Sequence, residues 1–128
     1  MKYIFTSAAA NYLPKVAILY NSVKKYHPDV RFVLACVERS GTVCNVVGNY
    51  CDELVTVDDL DVGGDHRWLF GHTIVELSTA IKPFVLKSLL DRSDCDSVTY
   101  IDPDIALFDR IDTVWEFDKE ENIVLTPH

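Results

Sequence analysis

Several absences narrow what this chain can be. No apolar run reaches the ~18 residues that span a bilayer. Glycine and proline number five each in 128 residues, too few for a collagen-like or linker-like chain. The four cysteines, Cys36, Cys44, Cys51 and Cys95, contain no C-x-x-C pair, so a zinc knuckle is not expected. No G-x-S-x-G element is present to support a serine-nucleophile hydrolase. Thr6–Tyr12, after the first apolar stretch, has no glycine, which sets aside a G-x-G-x-x-G loop and a dinucleotide-dependent dehydrogenase. Basic residues are scarce in the last third. Residues 91–128 carry eleven acidic and three basic side chains, whereas residues 1–90 balance nine against nine, so the whole net charge of −8 sits at one end. An acidic chain repels phosphate backbones, and nucleic acid is not an expected partner. Such a run is ordinarily a solvated face; the sharper reading is that a few of its carboxylates gather a cation.

What is present describes one globular domain spanning 1–128. Hydrophobic residues make up 48 % and charged residues 25 %, enough apolar surface to close a core and too much for a disordered chain. The start, Met1–Ala10, imitates a secretion signal, but its apolar stretch is three residues against the ~7–15 a signal needs. Tyr3–Phe5 reads as a strand instead. The expectation is a cytoplasmic protein with free thiols, peripheral at the inner membrane face if the full-length protein meets the membrane.

Strands and helices alternate. Leu13, Val16, Ala17, Tyr20 and Val23 recur at helical spacing, with Asn11 placed to cap the helix and Pro14 in its first turn. Val30–Val37 is almost continuously apolar, as in a strand covered on both faces. Val43, Val46, Val47 and Tyr50 suggest a short helix, and Leu54–Val57 a third strand. Asp58–Gly71 is a loop bearing Trp68 and Phe70. Ile74–Leu90 carries a helical stripe that Pro83 would break unless Ser78 or Thr79 caps a fresh start. Val98–Ile101 reads as a fourth strand, Ile105–Phe108 as a short fifth, Thr113–Phe117 as a helical turn and Ile123–Thr126 as a last strand. The order predicts an α/β domain, a Rossmann-like, mostly parallel sheet flanked by helices. Ligands of such folds bind beyond the carboxyl ends of the strands, so chemistry is sought just after each strand.

Asp102-Pro103-Asp104 follows the fourth strand. If the tripeptide is extended, both carboxylates point to one side with Cα atoms about 6.5–7 Å apart. Two such groups can lean onto one divalent cation, which would keep both ionised. The plainer reading is an Asp-Pro turn with Asp104 solvated. In Thr6–Tyr12, Ser7 and Ala8 let a ligand approach the backbone, and Tyr12 could stack on a flat base. Against that stand a capping role for Asn11 and core packing for Tyr12. Lys82 could reach a diphosphate or be an ordinary helix-surface lysine. His128, after the last strand, could meet a metal or a sugar, or fray as a terminal residue. His27, His66 and His72 have no partner in the sequence pattern.

Four segments together, ANYLPKVAILYNSVKKYHP, ELSTAIKPFVLKSLL, VTYIDPDIALF and IVLTPH, resemble the N-terminal, donor-binding half of a GT-A fold glycosyltransferase. The resemblance spans nearly the whole chain and is nearest to bacterial enzymes with Asn-Tyr after the first strand and D-x-D after the fourth. It implies a nucleotide-sugar donor such as a UDP-sugar, bound with Mn²⁺ or Mg²⁺. Asp102 and Asp104 would hold the metal. Thr6, Ser7, Ala8, Asn11, Tyr12, Asp58 and Lys82 would contact the donor, with Asp58 or Asp59 toward base or ribose and Lys82 near the phosphates. His128 would meet sugar or acceptor. The Asn-Tyr type implies retention of anomeric configuration. Family members are about twice as long, and the acceptor half, with a third metal ligand that is usually a histidine, follows the D-x-D half. The chain is therefore expected to be truncated before the acceptor half, to bind donor but transfer poorly, and to self-associate through a face where the second half would pack. The acceptor is not named by the sequence.

Other readings of the same length are a receiver domain, an aspartate-nucleophile phosphatase, a flavodoxin-like module and a non-enzymatic α/β binding or assembly module with a vestigial nucleotide site. The receiver lacks an acidic pair after its first strand. The phosphatase would place D-x-D there too.

Overall fold

The computed structural model describes residues 1–39, 48–62, 67, 71–117 and 123–126. Among them, β1 (Lys2–Ala8), β2 (Arg31–Cys36), β3 (Glu53–Thr56) and β4 (Ser97–Tyr100) form a sheet of order β3-β2-β1-β4. Every pairing is parallel: Tyr3 to Ala8 align with Arg31 to Cys36, Lys2 to Phe5 with Ser97 to Tyr100, and Val33 to Cys36 with Glu53 to Thr56. β1 is central, with a partner on each side, and it runs through Thr6, Ser7 and Ala8, which the sequence pattern placed in a loop. Those residues are buried and laddered to Leu34, Ala35 and Cys36. Small side chains fit where a strand is covered on both faces.

One face packs on α1 (Leu13–Tyr26), which buries Leu13, Val16, Leu19 and Val23 at helical spacing against Ile4, Ala8, Phe32, Leu34 and Cys36. The other face packs on α2 (Ile74–Ala80) and α3 (Lys82–Leu90), which bring Leu77, Ile81, Val85 and Leu89 against Tyr3, Phe5, Val33 and Ala35. The stripe over 74–90 is indeed interrupted, and Pro83 lies in the first turn of α3, where its missing N–H costs nothing. The break falls at Ile81, and neither Ser78 nor Thr79 caps it. Instead α2 is capped at its own start: the Thr73 hydroxyl accepts from Glu76 N–H while the Glu76 carboxylate accepts from Thr73 N–H at 2.8 Å. Among the described residues no helix is long and apolar enough to cross a membrane.

A helix, α4 (Asp112–Phe117), follows where a helical turn was expected. Trp115 is buried from it against the α1-side core, with its indole N–H on Thr99 Oγ1 at 3.1 Å and its ring against His27 at 4.8 Å. Ile105–Phe108 is not a strand. Its Leu107 N–H donates to Ser22 Oγ of α1 at 3.0 Å, so this segment is strapped to a helix rather than laddered to the sheet. Ile123–Thr126 is not a strand either, and all four residues are exposed. Tyr50 lies in a turn after Gly48, whose φ of +54° suits a residue without Cβ. Residues 43–47 of the expected short helix, with Trp68 and Phe70 of the loop, lie outside the described residues.

The chain steps from β1 to β2 to β3 in one direction and then places β4 on the other side of β1. The switch point, where a crevice opens beyond the strand ends, is therefore between β1 and β4.

Candidate functional site

A cleft of about 190 Å³ lies at that switch point. Ser7 and Ala8, at the end of β1, reach it from the sheet. Asn11 and Tyr12, on the 3-10 turn Ala10–Tyr12, line it from the α1 side, and Ile74, Val75, Ser78, Thr79 and Lys82 from α2 and α3. Tyr100, Asp102 and Pro103 close the end nearest β4. The Ser7 hydroxyl donates to the Ser78 carbonyl at 2.7 Å and ties α2 to β1 across the cleft floor.

The polar end is built around Asp102. The Tyr100 hydroxyl donates to Asp102 Oδ1 at 2.7 Å, and Lys82 Nζ stands 3.7 Å from the same oxygen and 4.2 Å above the Tyr100 ring. Burial, then the bond to Asp102, pushes the Tyr100 phenol well above its ordinary range, while Ser7 pulls the other way. Tyr100 therefore stays protonated and remains a donor. Among the described residues of the cleft lining, Lys82 is the cation.

Asp102-Pro103-Asp104 is a turn rather than an extended segment. The Asp102 carbonyl accepts from Ile105 N–H at 3.2 Å, which places Pro103 at the second position of a β-turn, where its fixed φ is favourable. Both carboxylates are exposed, but only Asp102 lines the cleft. A carboxylate is a hard oxygen donor of the kind Mg²⁺ or Mn²⁺ takes, and Asp102 presents one to the cleft. Among the described residues no three His, Cys, Asp or Glu side chains gather to hold a metal by themselves.

The remaining expected site residues are dispersed. Thr6 is fully buried on the α1 face of the sheet, its hydroxyl without a hydrogen-bond partner, and it does not line the cleft. Asp58 lies in the turn Val57–Asp59 beyond the edge strand β3, away from the cleft lining; beside it, Asp59 accepts from the Thr56 N–H and hydroxyl, each at 2.8 Å. Asn11 does not cap α1: Tyr12 occupies that position, with no side-chain cap. Tyr12 is not packed in the core either; it is 40 % exposed, with Lys15 Nζ 4.6 Å above its ring. His128 lies outside the described residues. Tyr100 escaped the sequence reading, although it stands two residues before Asp102 and β-strand periodicity puts the two on one side. Ile74 and Val75 escaped as well, since nothing in a helical stripe says which outward residues meet a cleft.

No protein-family model and no curated protein matches the sequence. Two crystal structures of LgtC superpose on the chain, one of an active-site mutant and one of the galactosyltransferase in complex with donor and acceptor sugar analogues. Each has a TM-score of 0.54 at 22 % identity over 91 % of this chain. The fold is the GT-A fold of LgtC. The parallel α/β sheet expected from the sequence is thus found, with the cleft at its switch point. The chain spans 42 % of the length of LgtC.

Proposed function

We propose that this chain is the donor-binding part of a glycosyltransferase, one that takes a sugar from a nucleotide-diphosphate donor, a UDP-sugar, and retains its configuration. The observation that carries the reading is a single cleft, in a GT-A fold, that holds Asn11 and Tyr12 at one wall and Lys82 with Asp102 at the other end. The exposed ring of Tyr12 suits a flat base, with Asn11 beside it to hydrogen-bond that base. The Lys82 ammonium suits the phosphates. As the bond between sugar and phosphate breaks, negative charge grows on the departing diphosphate, and a cation held at that place lowers the barrier. Asp102 and Asp104 would hold the Mn²⁺ or Mg²⁺, which when bound supplies further charge neutralisation to the diphosphate. Ile74 and Val75, both exposed, give the cleft an apolar wall that a bound base would cover.

A second reading is a non-enzymatic binding module with a vestigial nucleotide site, favoured by Asp102 lining the cleft while Asp104 does not. Calorimetric titration of UDP with Mn²⁺, then with chelator, separates them. Binding that needs both the metal and the pair Asp102 and Asp104, tested by Asp102→Ala/Asp104→Ala, supports the donor site. Metal-independent binding, or none in a folded sample, rejects it.

A further inference from the structure

The turn that carries Asn11 and Tyr12 into the cleft has no cap of its own. Ala9 precedes it in extended geometry, φ −87° and ψ 162°, and offers no side-chain acceptor. The Tyr12 N–H reaches the Ala9 carbonyl at 2.9 Å and the Leu13 N–H reaches that of Ala10. The first amide of the turn, Ala10 N–H, has no acceptor within it, as at any helical start. Its acceptor comes from 28 residues away: Glu38 Oε1 takes the Ala10 N–H at 2.8 Å. The other carboxylate oxygen, Oε2, takes the Cys36 thiol at 2.9 Å. Cys36 is fully buried, and burial first, then Glu38, pushes its thiol up to about 12, so it stays a donor. Both oxygens of Glu38 are thus held, one by the end of β2 and one by the turn.

We propose that Glu38 is a positioning residue of the cleft. By accepting the Ala10 N–H it fixes the turn and sets how Asn11 and Tyr12 meet a nucleoside. This rests on the nucleotide reading above. Glu38 does not line the cleft and acts through the turn alone. Without it the turn must be ordered at the moment of binding, and that cost is charged to affinity.

Two measurements on the chain test this together, with Glu38→Ala and Glu38→Gln. In amide hydrogen exchange, Glu38→Ala speeds exchange at Ala10 by about tenfold or more, whereas Glu38→Gln, which keeps an oxygen acceptor, stays near wild type. In UDP titration with Mn²⁺, Glu38→Ala weakens binding by about tenfold and Glu38→Gln by no more than about threefold. Unchanged exchange at Ala10 in Glu38→Ala overturns the proposal. So does faster exchange with UDP affinity unchanged, and so does equal loss in both variants, which would mark a structural charge rather than an acceptor. A wild-type chain that binds no UDP rejects the nucleotide reading itself and the positioning role with it; the exchange data then stand as a separate fact about the turn.

Discussion

Arg92 grips Glu53 with two donors on two oxygens, Nη1 to Oε2 at 2.9 Å and Nη2 to Oε1 at 2.5 Å. The pair joins the segment after α3 to the edge strand β3, and Arg31 adds a third bond to Oε2 at 3.1 Å. The guanidinium also covers the Tyr3 ring at 5.2 Å. These contacts lie at the amino ends of the strands, opposite the cleft, and hold the sheet rather than a ligand.

Glu53→Gln is expected to cost about 1–2 kcal/mol at neutral pH, since a charge-assisted, partly buried fork is lost. The hydrogen bonds from Arg92, and then from Arg31, hold the Glu53 carboxyl below its ordinary range despite burial. A depressed acid contributes stability above its unfolded pKa and loses it as pH falls through the folded one. Urea unfolding at several pH values should therefore show the wild-type advantage shrinking below about pH 4. An advantage that is undiminished in acid would rule out the charged pair as its source.

His27 is buried, and its Nε2 accepts from Ile111 N–H at 2.9 Å, so that nitrogen carries no proton. Burial, then Arg110, lowers its pKa, while Asp112 and Asp29 oppose them. For a base with a lowered folded pKa, stability is present above the unfolded value and lost as pH falls from about 6.5 toward the folded one. The urea midpoint of the wild type should drop across that window. His27→Leu should lose about 1–3 kcal/mol at pH 7, because the Ile111 amide is left unpaired, and should flatten this part of the profile. A variant that keeps the full drop would assign it to another group.

Lys82→Met is expected to weaken UDP binding by about tenfold and uridine binding by less than twofold, since the ammonium acts on phosphates and not on the base. The difference between the two ligands should narrow as salt is raised. Equal losses for UDP and uridine would place the lysine's contribution in packing over Tyr100.

Thr73→Ala removes half of the capping box on α2 and should cost about 1 kcal/mol, with Thr73→Ser nearly neutral. Because α2 carries the apolar wall of the cleft, hydrogen exchange over Ile74–Ala80 should rise in the alanine variant alone. Equal exchange in both variants would show that the helix is held by Leu77 and the core instead.

The sheet, the helix faces and the search region were readable because apolar periodicity reports burial directly. Val30–Val37 announced a strand covered on both sides, and Leu13–Val23 a helix with one buried stripe. What escaped depends on contacts distant in sequence. Asn11 looked like the cap of α1 by local preference, yet the amide at the start of the turn is satisfied by Glu38. For Asp102-Pro103-Asp104 the sequence leaves an extended segment and an Asp-Pro turn both open, and the turn wins because Ile105 N–H closes on the Asp102 carbonyl with Pro103 at the second position. His27 had no sequence partner because its partner, the Ile111 amide, is 84 residues away.

The alignment of Lys2 with Ser97 has a consequence for how the molecule comes into being. β1 is synthesised before β4, its neighbour on one side, with both β2 and β3 made between them. At ~5–20 residues per second on a ribosome, roughly 5–20 s separate the two. Throughout that interval one hydrogen-bonding edge of the central strand has no neighbour to pair with, and the crevice between β1 and β4 does not yet exist. The cleft thus waits for β4, and its appearance reports that β1 and β4 have paired.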